Sequence, residues 1–172
     1  ERYATEKGIA IVMPDAGKSF YTDMASGDPY FTYLTEEVMD HVRKWFPISK
    51  DPKYTFIAGL SMGGYGAIKI ALTYPERFNG VGSFSGALTM AQTANTKYPD
   101  DTEDWLKCLE RDITFVFDDV DQVENGPHDV FWLASKATQL PNIYLSCGTN
   151  DFIYMATVGF CQHLENLHIP FM

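Results

Sequence analysis

Lys53-Tyr54-Thr55-Phe56-Ile57-Ala58-Gly59-Leu60-Ser61-Met62-Gly63-Gly64-Tyr65-Gly66-Ala67-Ile68-Lys69-Ile70-Ala71-Leu72-Thr73-Tyr74-Pro75 is the stretch that decides how this chain folds. Residues 53–58 are short, apolar and aromatic, as a buried strand requires. From Gly64 to Tyr74 the spacing of Ile68, Ala71 and Leu72 is helical, and Pro75 closes the run. Between strand and helix, Gly59 to Gly63 spell G-x-S-x-G. A serine on such a sharp turn carries an exposed hydroxyl. The flanking glycines let the backbone take strained angles and leave room for a substrate carbonyl. The helix that starts just past Ser61 also points its positive end at the place where an oxyanion would form. The five-residue pattern alone occurs often by chance. With a strand before it and a helix after it, a nucleophilic Ser61 is the expectation, and a structural Gly-rich turn is the alternative.

Outward from this stretch, strand and helix alternate. Residues 1–7 read as the last turns of a helix stopped by Gly8, and residues 9–13 as a β-branched buried strand. A Gly-, Ser- and Asp-rich loop (15–28) leads to a helix over 29–46, with Tyr30, Tyr33, Leu34, Val38, Val42 and Trp45 as its apolar stripe. Beyond the elbow come a strand at 80–84, an irregular polar region (87–140) with helical pieces near 104–110 and 130–138, a buried strand at 142–147 and a helix over 152–167. Residues 170–172 begin a further strand. Strands separated by helices predict one α/β domain over residues 1–172, a mostly parallel sheet with helices on both faces.

Composition narrows the partners. The chain has 172 residues, 45% of them hydrophobic, enough for a core. A formal net charge of −10 disfavours nucleic acid and anionic membrane surfaces, which attract basic patches. No apolar run approaches the ~20 residues of a membrane span. The acidic stretch Asp118-Asp119-Val120-Asp121 reads as a solvated loop, and no metal is expected. Cys108, Cys147 and Cys161 show neither metal spacing nor a disulfide pattern; as buried free thiols they favour a reducing, cytoplasmic compartment. Assembly into identical copies is left open.

A nucleophilic serine needs an acid and a histidine, which follow it in that order in this class of site. Asp151 is the candidate acid: it follows the strand at 142–147 and the turn Gly148-Thr149-Asn150, at the carboxyl end of the sheet. Its alternative role is a helix N-cap. Only His163 and His168 come later, one mid-helix and one at the helix end, and both read as surface or capping residues. His41 and His128 precede Asp151 and break the order; His41 faces out from a helix and His128 lies in a polar loop. The catalytic histidine is therefore expected outside these residues. One oxyanion donor would be the backbone N–H of Met62, and the other would come from a loop after an earlier strand. No helix N-cap opens the chain and its last strand only begins, so the chain is expected to be an interior piece, inactive alone. Tyr21 and Tyr65 are candidate substrate-binding side chains, although core packing is the commoner role for loop aromatics such as Tyr21, Trp105 and Trp132.

Several segments carry a resemblance: Tyr21-Thr22-Asp23-Met24, Trp45-Phe46-Pro47, Phe56 through Gly66, Ser83-Phe84-Ser85-Gly86-Ala87-Leu88, and Cys147-Gly148-Thr149-Asn150-Asp151-Phe152-Ile153-Tyr154. Together they resemble the tributyrin esterases, within the wider group of esterase D, S-formylglutathione hydrolase and feruloyl or acetyl-xylan esterases. The resemblance implies an α/β-hydrolase fold lacking its N-terminal strands and its last strand, and no cofactor. It also implies hydrolysis of short acyl esters, with Ser61 as nucleophile, Asp151 as acid and Met62 giving one oxyanion N–H. It places the second oxyanion segment before Glu1, the histidine after Met172, and a further strand between residues 9–13 and 53–58. A non-catalytic binding module on the same fold is the rival reading.

Overall fold

The computed structural model describes residues 2–172. Its helices are α1 (Arg2–Lys7), α2 (Tyr30–Thr32), α3 (Met39–Trp45), α4 (Met62–Thr73), α5 (Met90–Thr93), α6 (Asp104–Val116), α7 (Val130–Lys136) and α8 (Tyr154–Asn166), and its strands β1 (Phe56–Leu60), β2 (Gly80–Phe84) and β3 (Asn142–Ser146). The three strands form a parallel sheet in the order β1-β2-β3, with Gly59 opposite Ser83 and Ser83 opposite Leu145. The parallel crossovers pass through α4 after β1 and through α5 to α7 after β2, which brings the carboxyl ends of all three strands to one edge. Residues 170–172 do run beside β3: Leu145 N donates to Met172 O at 2.8 Å and Met172 N to Ile143 O at 3.0 Å.

The core lies between the sheet and α4. Alternation sends Ile57, Val81, Ser83 and Ile143 to the α4 side, where Val81 and Ile143 are buried. Every residue of α4 from Gly64 to Leu72 is buried; α7 packs on α4, and α8 on α7. The opposite face of the sheet presents Phe56, Leu60, Phe84 and Tyr144, all exposed. Helices on both faces were expected, and among the described residues only one face is covered.

Three further expectations are corrected. Residues 9–13 form no strand; Ile9, Ile11, Val12 and Met13 are exposed, because a β-branched run becomes a strand only where a neighbour supplies a ladder. The helix over 29–46 is interrupted by a π-helical stretch, Tyr33–Val38, and its stripe is unevenly covered: Leu34 is buried, Tyr30 and Val38 pack against the core, and Trp45 is 67% exposed. The piece near 104–110 is a full helix to Val116, because Ile113 and Val116 extend its buried side. Gly8 does stop α1. Its φ of +62° and the bonds Gly8 N to Thr5 O and Ile9 N to Ala4 O make a Schellman motif.

Candidate active site

Ser61 stands between β1 and α4 with φ 54° and ψ −118°. A non-glycine residue in this region carries strain of about 1–3 kcal/mol and persists only where the surroundings over-determine it. Here they do. Ser61 N donates to Phe84 O at 2.9 Å, and Ser61 O accepts from Gly64 N, Tyr65 N and, at 3.1 Å, Ala87 N. The end of β2 thus clamps the serine on both sides. Gly59 is required by close approach, since a methyl there would fall 2.2 Å from the Gly63 carbonyl oxygen. Met62 and Gly63 open α4, where backbone N–H groups have no intrahelical acceptor and remain available to an anion.

Ser61 is exposed and borders a cavity of about 570 Å³ that Met62 also lines. Its walls are apolar: Phe20, Ala87, Met90, and Leu109 and Ile113 from α6. Trp105 and Phe152, with ring centroids 5.9 Å apart, stand at the same cavity, and the Lys18–Asp112 ion pair (2.8 Å) contributes its polar wall. Trp105, expected in the core, is therefore a groove residue, 49% exposed. Trp132 lies instead on α7 beneath Lys136.

Asp151 sits beyond the carboxyl end of β3. Its carboxylate accepts from the Ser85 hydroxyl and from Ile153 N (3.1 Å), and these hydrogen bonds hold its pKa below the usual carboxylate value. The Ile153 bond closes a local turn just before α8, whose N-cap position is Ile153 and has no side-chain cap, so the alternative of Asp151 as a helix N-cap is corrected. The Ser85 bond ties Asp151 to the loop after β2, where Ser85 has a φ of +44° and donates its N–H to Ser146 O at 2.7 Å. Composition and spacing did not single out Ser85; its position at the carboxyl end of β2, within a segment that carries the resemblance, was the available signal.

Each of the four histidines has a place of its own. His163 Nε2 donates to Phe131 O at 2.8 Å and meets Ser135 Oγ at 3.2 Å, which joins α8 to α7. His168 is exposed at the end of α8, and His41 lies exposed against Trp45. His128 does lie in the loop before α7, but it is half-buried there against Phe117, with Nδ1 3.1 Å from Lys69 Nζ. Among the described residues no histidine bonds to Ser61 or Asp151.

The two tyrosines are structural here. Tyr65 is 0% exposed and its hydroxyl donates to His128 O at 2.8 Å, so as a substrate-binding candidate it is corrected to a core residue. Tyr21 does not line the cavity at Ser61; its ring lies against Gly66, where a methyl would come within 2.2 Å of it.

A strained serine at a helix start, an apolar cavity beside it and a carboxylate at the next-but-one strand end can support acyl transfer. Comparison with known proteins agrees. The family model Esterase, described as "Putative esterase", matches residues 1–153. The chain is 31% identical over 163 residues to an acetyl esterase of Caldicellulosiruptor saccharolyticus, covering 92% of this chain and 60% of that protein. Fluorophosphonate-binding serine hydrolase F of Staphylococcus aureus superposes with a TM-score of 0.83 at 32% identity, over 99% of this chain and 64% of that one. The S-formylglutathione hydrolase of the same organism gives a TM-score of 0.81 at 32% identity, over 99% and 65%. The fold is that of the α/β-hydrolases, and the chain spans somewhat under two thirds of these relatives' length.

Proposed function

The chain belongs to the esterase family, and on that premise we propose that it carries the nucleophile and acid of a serine carboxylesterase acting on small, short-chain acyl esters. The observation that carries this reading is the left-handed backbone of Ser61, clamped by the end of β2 at the mouth of an apolar cavity. Ser61 Oγ attacks the ester carbonyl, and its proton passes to a histidine. The oxyanion of the tetrahedral intermediate is met by the Met62 N–H and the dipole of α4. Collapse expels the alcohol and leaves an acyl-Ser61, which water cleaves by the same steps in reverse. Asp151 orients the histidine and stabilises its imidazolium, and the Ser85 hydroxyl holds the carboxylate in turn. None of the four histidines here is placed for the base, so we assign that role to a residue outside these 172. No cofactor enters the reaction. Cys108 is exposed and Cys147 and Cys161 are half-buried, so the expected burial of these thiols is corrected; a reducing cytoplasmic compartment is proposed from the spacing of the cysteines in the sequence alone.

Likeness to the Staphylococcus S-formylglutathione hydrolase supports a second reading, in which the same groups cleave a thioester of glutathione. In the protein that carries this chain, p-nitrophenyl acetate and S-formylglutathione turnover separate the two. On either substrate Asp151→Asn lowers kcat by something on the order of 10⁴, with a smaller effect on KM. A loss below about tenfold in a well-folded variant would leave Asp151 with only the structural role of closing the turn before α8.

A further inference from the structure

Helix α4 is buried nearly throughout, yet its eighth residue is a lysine. Lys69 is 2% exposed. Its Nζ donates to Tyr21 O at 2.9 Å and to Thr22 Oγ1 at 2.8 Å, and lies 3.1 Å from His128 Nδ1. Among the described residues no carboxylate pairs with it. Asp23 acts on it only at longer range, its carboxylate being occupied by Thr32 N and Thr32 Oγ1. The faces of Phe31 and Tyr65, at 5.1 and 5.8 Å, complete the surroundings.

The match of donors to acceptors is complete. An ammonium offers three N–H groups and accepts nothing. The Thr22 hydroxyl hydrogen is committed to Phe20 O at 3.1 Å, so its oxygen is free to accept. Burial, then the Lys69 charge, push the His128 pKa down to about 4, so the ring is neutral, and in the tautomer with its hydrogen on Nε2 the Nδ1 lone pair accepts from the ammonium. The three acceptors belong to the segment around Tyr21 and to the loop before α7. Phe20 and Tyr21 have successive φ values of +48° and +51°, a pairing that side chains disfavour and that the lysine holds in place. The turn delivers the Tyr21 ring onto Gly66 and its hydroxyl to Gly63, where a methyl would lie 3.1 Å away. Gly63 adjoins Met62, the proposed oxyanion donor.

We propose that Lys69 is a positioning residue of the esterase site: its three hydrogen bonds hold the 20–22 turn so that Tyr21 pins the first turns of α4, and with them Ser61 and the Met62 N–H. The proposal rests on Ser61 being the nucleophile. It carries a pH dependence. Burial lowers the Lys69 pKa to about 7, opposed by the Asp23 carboxylate; the other titratable groups facing it are His128 and the Tyr65 phenol, which donates to His128 O. A neutral amine has two N–H groups for three acceptors, so the clamp loosens as pH rises through about 7.

The test is the rate at which a fluorophosphonate labels Ser61 on both sides of neutrality, in the protein that carries this chain, alongside its unfolding midpoint. Lys69→Met keeps the stem and removes the donors. Its labelling rate is expected to fall by on the order of ten- to a hundredfold. Its unfolding midpoint should change little, because the loss of a buried charge offsets the acceptors left unpaired. The wild-type decline above neutrality should disappear with it. Thr22→Val removes one acceptor and should show a smaller fall in the same direction. Lys69→Met labelled at the wild-type rate with the wild-type pH profile would overturn the proposal; if that variant does not fold, the same result for Thr22→Val does so. A wild type that is not labelled at all removes the assignment of Ser61, and the proposal with it.

Discussion

Among single residues, His128 and Lys69 set the acid–base behaviour of the interior. The folded pKa of His128, about 4, lies below the ordinary 6.5 because burial and the neighbouring ammonium oppose a second charge. Between those two values the unfolded chain binds a proton that the folded chain refuses, so stability must fall as pH drops from about 6.5 to about 4. The denaturant midpoint should follow that course, and His128→Gln should flatten it; an unchanged slope in the variant would place the acid-sensitive group elsewhere. Lys69 works in the same sense at higher pH. Its folded pKa of about 7 against the ordinary 10.5 makes stability rise with pH across that window. Neither residue was legible in the sequence. A histidine in a polar loop and a lysine in a helix look solvated until the chain brings positions 22, 69 and 128 together. The turn that carries Ser61 was legible because strand, turn and helix are sequence neighbours, and the place of Asp151 beyond β3 because it follows that strand directly; their catalytic roles belong to the proposal.

Among the elements, the unit of β1, the turn and α4 decides most. The helix can approach the 20–22 turn only because Gly66 has no side chain: a methyl there would lie 2.2 Å from Cγ of Tyr21. Gly66→Ala should therefore displace the tyrosine. We expect a stability loss of about 1–3 kcal/mol, as for other overpacked sites, and slower labelling of Ser61. A variant as stable and as reactive as wild type would show that Tyr21 moves freely. The strands at 80–84 and 142–147 were legible because a parallel strand buried by its neighbours reads as a short apolar run. Residues 9–13 carry the same local signal without a ladder, and no local pattern distinguishes the two cases. The extension of α6 was missed although Leu109, Ile113 and Val116 continue a helical period; polar residues between them hid it in the sequence.

For the molecule as a whole, burial is uneven. β2 has a partner on each side and lies beneath α4, whereas the outer edge of β1 and the face carrying Phe56, Leu60, Phe84 and Tyr144 are open. Amide exchange should therefore be slowest in β2 and in the 65–72 part of α4, and fastest in α1 and residues 9–14. Equal protection in β1 and β2 would contradict this ranking. The parallel α/β layout was legible from alternation alone, but the exposed face was not, because period-2 burial does not tell which side of a strand receives a helix. Ser61 is the decisive residue. Intact-mass analysis of the protein carrying this chain, after exposure to a fluorophosphonate, should show one added phosphonyl group on a peptide containing Ser61, and none in Ser61→Ala. Ester hydrolysis that survives in Ser61→Ala, or a label carried on another residue, would contradict it.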